Sequence, residues 1–493
     1  MRGRISEKVA VSVVFVAAMF MSIMDVTIVN VALPRIGHDF RVTPTAVDGI
    51  SIAFLVSLAV FIPASGWLGD RYGGRRVLLA AIVVFTGASA LCGASTSLGE
   101  LVAFRVLQGV GGGMLAPVGM AMLFRAFPPE ERIRASSILV VPTALAPALG
   151  PVLGGLLVTD LSWRWVFFVN VPIGLAAFAF GLLFLPHGRQ ERPGRFDTAG
   201  FVLSGLGLGV FMYGFSEGPV AGWGTGRVIA SLVAGLIALT LMVRVELRVP
   251  DPMVALRLMG NRLFRSANAV MILGSIAFLG VLYVVSLYYQ DGRGLSALGS
   301  GLSTFPEAVG VMIGSQAATR ILYPSLGPRR HVSLGLVGVS LSIGLMALLG
   351  PGSSLWWARG LMFTLGFSMA SVFVPVQALA FATVSPAETG RGSTMFNALR
   401  QLGGALGVAL LTTAIVIVGA THQVAGHVAP NLTAYRVAFL AAALIALSGV
   451  GAALTISDLE AAHTIPARRR GRRVRPDRAA VDAPVDEAQH LAA

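Results

Sequence analysis

Two acidic residues stand where a chain this apolar should carry none. Asp25 falls well inside an apolar stretch from about Val9 to Leu33, and Glu307 lies about ten residues into another at 297–321. At 1.5 Å per helical residue Glu307 would be roughly 15 Å deep, near the middle of a bilayer core about 30 Å thick. A lone carboxylate there costs several kcal/mol, so each acid must hold a proton, find a partner or face a wet cavity. For Asp25 the readings are proton or conformational coupling, or a carboxylate held structurally by Ser22, Thr27 or a neighbouring helix. For Glu307 they are proton exchange or cationic-substrate binding, or a buried structural ion pair; Pro306 beside it removes a backbone donor and can bend the helix. Arg105, in the apolar run 99–124, is the expected partner of Asp25. An arginine beside an acid favours its ionised form, so moving the two apart would load a proton and bringing them together would release it. A purely structural arginine is the alternative.

Composition says what must position these groups. The chain has 493 residues, 55% hydrophobic and 12% charged, with a mean hydropathy of +0.79 and a formal net charge of +14. That leaves too little polar surface for a soluble globule, so the basic balance (pI about 11.2) is no sign of a nucleic-acid partner. Lys8 is the one lysine, and Val9 follows it, so no phosphate-binding G-x-x-x-x-G-K-[ST] loop is encoded. Cys92 is the one cysteine, which excludes an internal disulfide and a thiolate metal cage. The seven histidines are scattered, and none sits in an H-E-x-x-H spacing. ATP-driven pumping by this chain is excluded, and no metal or cofactor site is expected. The glycine run 109–113 lies within an apolar span with no strand before it, so it reads as helix packing, not a dinucleotide loop.

Fourteen apolar runs are long enough to cross a membrane as helices. The first begins near Val9, and the others lie near 46–68, 77–95, 99–124, 135–158, 165–185, 197–216, 227–245, 263–288, 297–321, 332–349, 355–378, 393–419 and 434–456. The predicted fold is an all-α polytopic membrane protein. With an even count and the N-terminus inside, cytosolic segments before the tail hold 18 basic residues against 6 in the outer loops, which orients both termini to the cytosol. The six tryptophans fall near span ends, as an interfacial belt requires. The tail, 457–493, carries a basic block (Arg468 to Arg478) and then an acidic one, and is read as disordered. Contact of its arginines with anionic lipid is the alternative.

The sequence repeats itself. GWLGDRYGGRRVLL (66–79) recurs weakly as RILYPSLGPRRHVS (320–333), matching Leu68 to Leu322, Gly73 to Gly327, Arg75 to Arg329 and Arg76 to Arg330. At the same offset Arg105 meets Arg359 and Gly150 meets Gly404. Two six-helix halves follow, 1–185 and 263–456, with two additional helices and their linkers at 186–262. Transporters built from repeats place substrate between the halves and rock between inward-open and outward-open states.

These motifs resemble the fourteen-span drug:proton antiporter branch of the major facilitator superfamily. MDVTIVNVALP (24–34) is similar to its first-span signature, GWLGDRYGGRR (66–76) to the 2–3 loop motif, with Gly74 where a basic residue is usual, and LVAFRVLQGVGGG (101–113) to its fourth-span arginine motif. APALGPVLGG (146–155) resembles the fifth-span antiporter motif, with Ser137 and Ala146 replacing two glycines, and WRWVFFVNVPIG (163–174) is typical of the branch. The resemblance implies a major-facilitator fold and proton-coupled export of small amphipathic or hydrophobic compounds, with no cofactor. It implies a bacterial cytoplasmic membrane, with protons, substrate and lipid as partners. It also implies coupling by Arg105 and recognition of cationic drugs by an acid at the place of Glu307. Thirteenth-span acids found in some members are absent, which argues against a dicationic substrate. Gly66, Asp70, Arg71, Gly73, Arg75 and Arg76 are candidates for a cytosolic latch, since a carboxylate there can meet a helix N-terminus or an arginine of another helix. Pro324 replaces Asp70 in the second copy, making the latch one-sided. Gly150, Pro151, Gly154 and Gly155 either serve packing or, by the resemblance, bend a helix that seals against proton leak. The rival readings are an exporter of one lipid or metabolite and, further off, a membrane enzyme or a channel.

Overall fold

A computed structural model describes residues 6–42, 44–186, 196–250, 252–350, 352–419, 421–424 and 427–464. Most of the tail, 465–493, and part of the linker after residue 186 lie outside the described residues. The helices are α1 (Glu7–Phe40), α2 (Pro44–Tyr72), α3 (Gly74–Ala94), α4 (Leu98–Ala126), α5 (Arg132–Leu156), α6 (Trp165–Phe184), α7 (Thr198–Ala221) and α8 (Gly226–Glu246). They continue with α9 (Arg262–Leu287), α10 (Ala297–Ala317), α11 (Pro328–Met346), α12 (Leu355–Ala380), α13 (Thr389–Val418) and α14 (Leu432–Leu454). Eleven of them meet the length and hydropathy expected of a membrane span, and α5, α10 and α11 fall in the remaining three predicted places. A short antiparallel hairpin, β1 (Thr421–Val424) with β2 (His427–Pro430), joins α13 to α14 and departs from a purely helical chain.

Polar residues start the helices where the apolar runs begin. Ser97, Asp197, Asn261, Ser296 and Asn431 each cap a helix by accepting a first-turn backbone N–H. The outer surface is apolar, with Leu183, Ile417 and Leu444 between 67% and 78% exposed, as lipid-facing side chains must be. On α8 the exposed stripe Ile229, Val233, Leu236, Ile237 and Leu241 follows helical spacing, while Gly235 packs on Phe211 of α7.

The packing of α1–α6 recurs in α9–α14. α2 lies on α4 and α10 on α12; α1 lies on α5 and α9 on α13; α3 meets α4 and α6, as α11 meets α12 and α14. The contacts between the two sets are also reciprocal: α5 packs on α10 and α12, and α13 on α2 and α4. Gly73 and Gly327, paired by the repeat, both take positive φ (85° and 78°) and introduce α3 and α11. α7 pairs with α8 and packs on α2 and α13, so the inserted pair straddles the seam.

Candidate functional site

Asp25 is fully buried and belongs to five helices' worth of polar contacts. Arg105 Nη1 of α4 donates to its Oδ2 at 2.5 Å. Gln108 Nε2 of α4 and Asn170 Nδ2 of α6 donate to its Oδ1 at 2.9 and 3.0 Å. Ser89 of α3 accepts from Asn170 and donates to the Phe167 carbonyl, while Arg105 Nε donates to the carbonyl of Ile50 on α2. The guanidinium also lies 4.1 Å from the Phe54 ring centroid, a cation–π contact. Asp25 thus meets the expected Arg105, but not Ser22 or Thr27. The side chain of Thr27 turns instead to Gly150 on α5, where no Cβ fits.

Gln108 and Asn170 escaped the sequence reading, although both stand inside quoted motifs. Their signal was present: a lone amide in an apolar span is itself costly unless hydrogen-bonded.

Glu307 contrasts with Asp25. It is 3% exposed on α10, one residue after Pro306, and no described side chain gives it a hydrogen bond or ion pair. A structural ion pair is therefore not what holds it. At this level α10 and α12 nearly touch, because Gly366 leaves no room for a Cβ beside the Glu307 carbonyl. Arg400, a further charge well inside α13, is half-buried with no hydrogen bond or ion pair among the described residues. Arg359, the repeat mate of Arg105, instead stacks 4.8 Å from the ring of exposed Trp356, near the start of α12.

The 2–3 motif is more helical than a loop reading suggests. Asp70 and Arg71 ride the last turn of α2, Arg75 and Arg76 the first turn of α3, and Gly73 alone makes the corner. Asp70 accepts from Arg125 Nη2 of α4 at 2.9 Å and faces Gly390 in the first turn of α13, meeting both an arginine and a helix N-terminus. Gly66 lets α2 approach Thr394 and the Gly390 carbonyl. Arg75 donates to the Leu182 carbonyl at 2.6 Å, tying α3 to α6, whereas Arg71 and Arg76 are exposed.

The 2–3 motif lies on the face where the described residues begin and stop, the termini face, where Lys8 pairs with Glu131 and Tyr323 bonds Thr464. The same face holds the polar links between the two helix sets. Ser65 meets Thr394 at 3.3 Å, and Ser393 donates to the Pro117 carbonyl. Arg125 Nε and Arg132 Nη1 donate to the carbonyls of Pro386 and Phe381. Phe124 stacks on Phe381 at 4.7 Å. The two helix sets are thus tied together at this face.

Gly150 and Gly154 press α5 on α1, against Thr27, Ile28 and Val31. Gly155 faces open space, so it takes no part in that contact. The side chain of Pro151 lies outside the described residues. In the other set, Gly403 and Gly407 bring α13 onto the backbone of α9 in the same way.

Residues 15–408 match the family described as Major Facilitator Superfamily. The chain belongs to this superfamily. A multidrug resistance protein B homolog of Mycobacterium tuberculosis is 32% identical over 404 residues, covering 81% of this major facilitator and 74% of the relative. The tetracenomycin C resistance and export protein of Streptomyces glaucescens is 32% identical, over 82% of this chain and 74% of its own. Among solved structures, the human organic anion transporter MFSD10 (TETRAN) aligns with a TM-score of 0.66 at 19% identity, covering 90% of this chain and 99% of that one, which supports the fold. A major facilitator is a transporter and not an enzyme, and this one is a multi-pass membrane protein.

Proposed function

We propose that this major facilitator is a proton-coupled antiporter that exports small amphipathic or hydrophobic compounds by alternating access. The observation that carries the reading is Glu307: a buried carboxyl without a counter-ion among the described residues, on a helix that packs across the seam against α5. An ionised carboxylate left alone there is costly, so the group either keeps a proton or receives a cation, and either exchange suits antiport. The resistance and export functions named for its relatives support the substrate class.

In this reading residues 1–185 and 263–456 are the two rocking halves, with 186–262 as an inserted pair. The termini face is cytosolic in a bacterial cytoplasmic membrane, so a protein whose halves are tied together there stands outward-facing. Asp70, Gly66 and Arg125 close the gate that must open for substrate to enter. Asp25 and Arg105 hold the first half's helices in register and couple them to the proton cycle. No cofactor is needed, because an inward proton gains about 2.3 kcal/mol per 100 mV of membrane potential.

Flux into reconstituted vesicles with an imposed pH gradient tests this. Glu307→Gln should abolish proton-coupled efflux of a lipophilic dye while the protein still inserts and folds. Wild-type coupled rates in that variant would sink the assignment.

A further inference from the structure

The inserted pair is anchored at the termini face by an arrangement that the transport cycle above does not use. α7 is capped by Asp197, whose Oδ1 accepts the Gly200 N–H at 2.8 Å. α8 ends at Glu246, whose Oε1 accepts the Val254 N–H at 3.0 Å, tying the helix to the linker that leads into α9. Each carboxyl thus has one oxygen fixed by the backbone. Among the described residues, the other oxygen of each, Asp197 Oδ2 and Glu246 Oε2, is buried without a well-formed hydrogen bond, although the Met253 N–H also bears on the Glu246 carboxyl. The residues themselves are 8% and 1% exposed.

The two groups converge over Gly200. A Cβ at that position would collide with Asp197 Oδ2 and Glu246 Oε1 together, so glycine is what allows the carboxyls to share the space. Two ionised carboxylates buried side by side repel, and an acceptor-only oxygen with no donor gains nothing for its lost hydration. One proton removes both penalties: a protonated carboxyl donates a hydrogen bond, and the pair carries a single charge. Around it, α13 brings Arg391, whose charge acts on both Glu246 and Asp70. α2 packs aromatic rings on the same foot, Trp67 on Phe196 and Phe61 on Phe201.

We propose that Asp197 and Glu246 hold one proton between them, forming a second proton-binding site that fastens the foot of the inserted helix pair and leaves Arg391 to the Asp70 gate. With the proton present, the foot is closed. Its release doubles the charge over Gly200, pushes the ends of α7 and α8 apart and draws Arg391 toward the acid pair. The closed foot therefore belongs to low pH and loosens as pH rises.

Hydrogen–deuterium exchange of the full-length protein in nanodiscs, from mildly acidic to mildly alkaline pH and corrected for intrinsic rates, tests this without any substrate. Amides of 198–204 and 253–256 should lose protection as pH rises in the wild type. Glu246→Gln, which supplies an amide donor with no titration, should keep them protected throughout, and Asp197→Asn should flatten the profile too. Glu307→Gln should retain the wild-type profile, which separates this site from the transport carboxyl. A flat wild-type profile, needing no variant at all, would overturn the proposal. So would an unchanged pH dependence in both Glu246→Gln and Asp197→Asn.

Discussion

The two buried acids are chemically alike, and their surroundings make them opposites. Asp25 accepts from Arg105, Gln108 and Asn170, whereas Glu307 has no described partner. Removing one charge of a buried pair typically costs about 3–5 kcal/mol, because the survivor is left uncompensated. Asp25→Asn should therefore lower thermal stability in detergent sharply, and Asp25→Asn combined with Arg105→Gln should recover part of the loss. Glu307→Gln exchanges an unpartnered carboxyl for a neutral isostere, so its melting temperature should stay within a degree or two of wild type while transport fails. A large loss of stability in Glu307→Gln, or none in Asp25→Asn, would reverse this division of roles.

At the scale of helices, close approach depends on where glycine stands. Gly150 abuts Thr27 and Gly154 abuts Ile28 and Val31, so α5 lies on α1 with backbone-to-side-chain contacts that a methyl group would force apart. Gly150→Ala should destabilise the protein by about 1–3 kcal/mol, the usual range for overpacking. Thr27→Ala in the same chain should restore part of it, as a double-mutant cycle of melting temperatures would record. Additive losses would mean that α1 and α5 do not meet at this point. The elements themselves were legible in sequence, because a membrane span declares itself by length and hydropathy regardless of its neighbours. The pairing of Asp25 with Arg105 was legible as well, since each needs the other. What sequence did not assign was which groups meet across the fold: Asn170 of α6 with Asp25, and Arg125 of α4 and the first turn of α13 with Asp70. Nor did it separate Gly155, which faces open space, from Gly150, which is packed, because both satisfy the same motif.

The whole molecule is a pair of similarly packed helix sets joined on one face. Every polar link named between the sets lies toward the face where the described residues begin and stop, through Ser65, Pro117, Arg125 and Arg132 on one side and Phe381, Pro386, Ser393 and Thr394 on the other. If the sets rock, these links must break in each cycle, and a covalent bond in their place must stop transport. Ser65 and Thr394 suit the test, since their hydroxyl oxygens are 3.3 Å apart and the single native cysteine, Cys92, is buried away from them on α3. In Ser65→Cys/Thr394→Cys, oxidation should form an intramolecular disulfide and abolish efflux, and a reductant should restore it. Each single variant, having no partner thiol, should be indifferent to oxidant. Full transport in the oxidised double variant would mean that this seam never opens, and alternating access through the termini face would have to be abandoned.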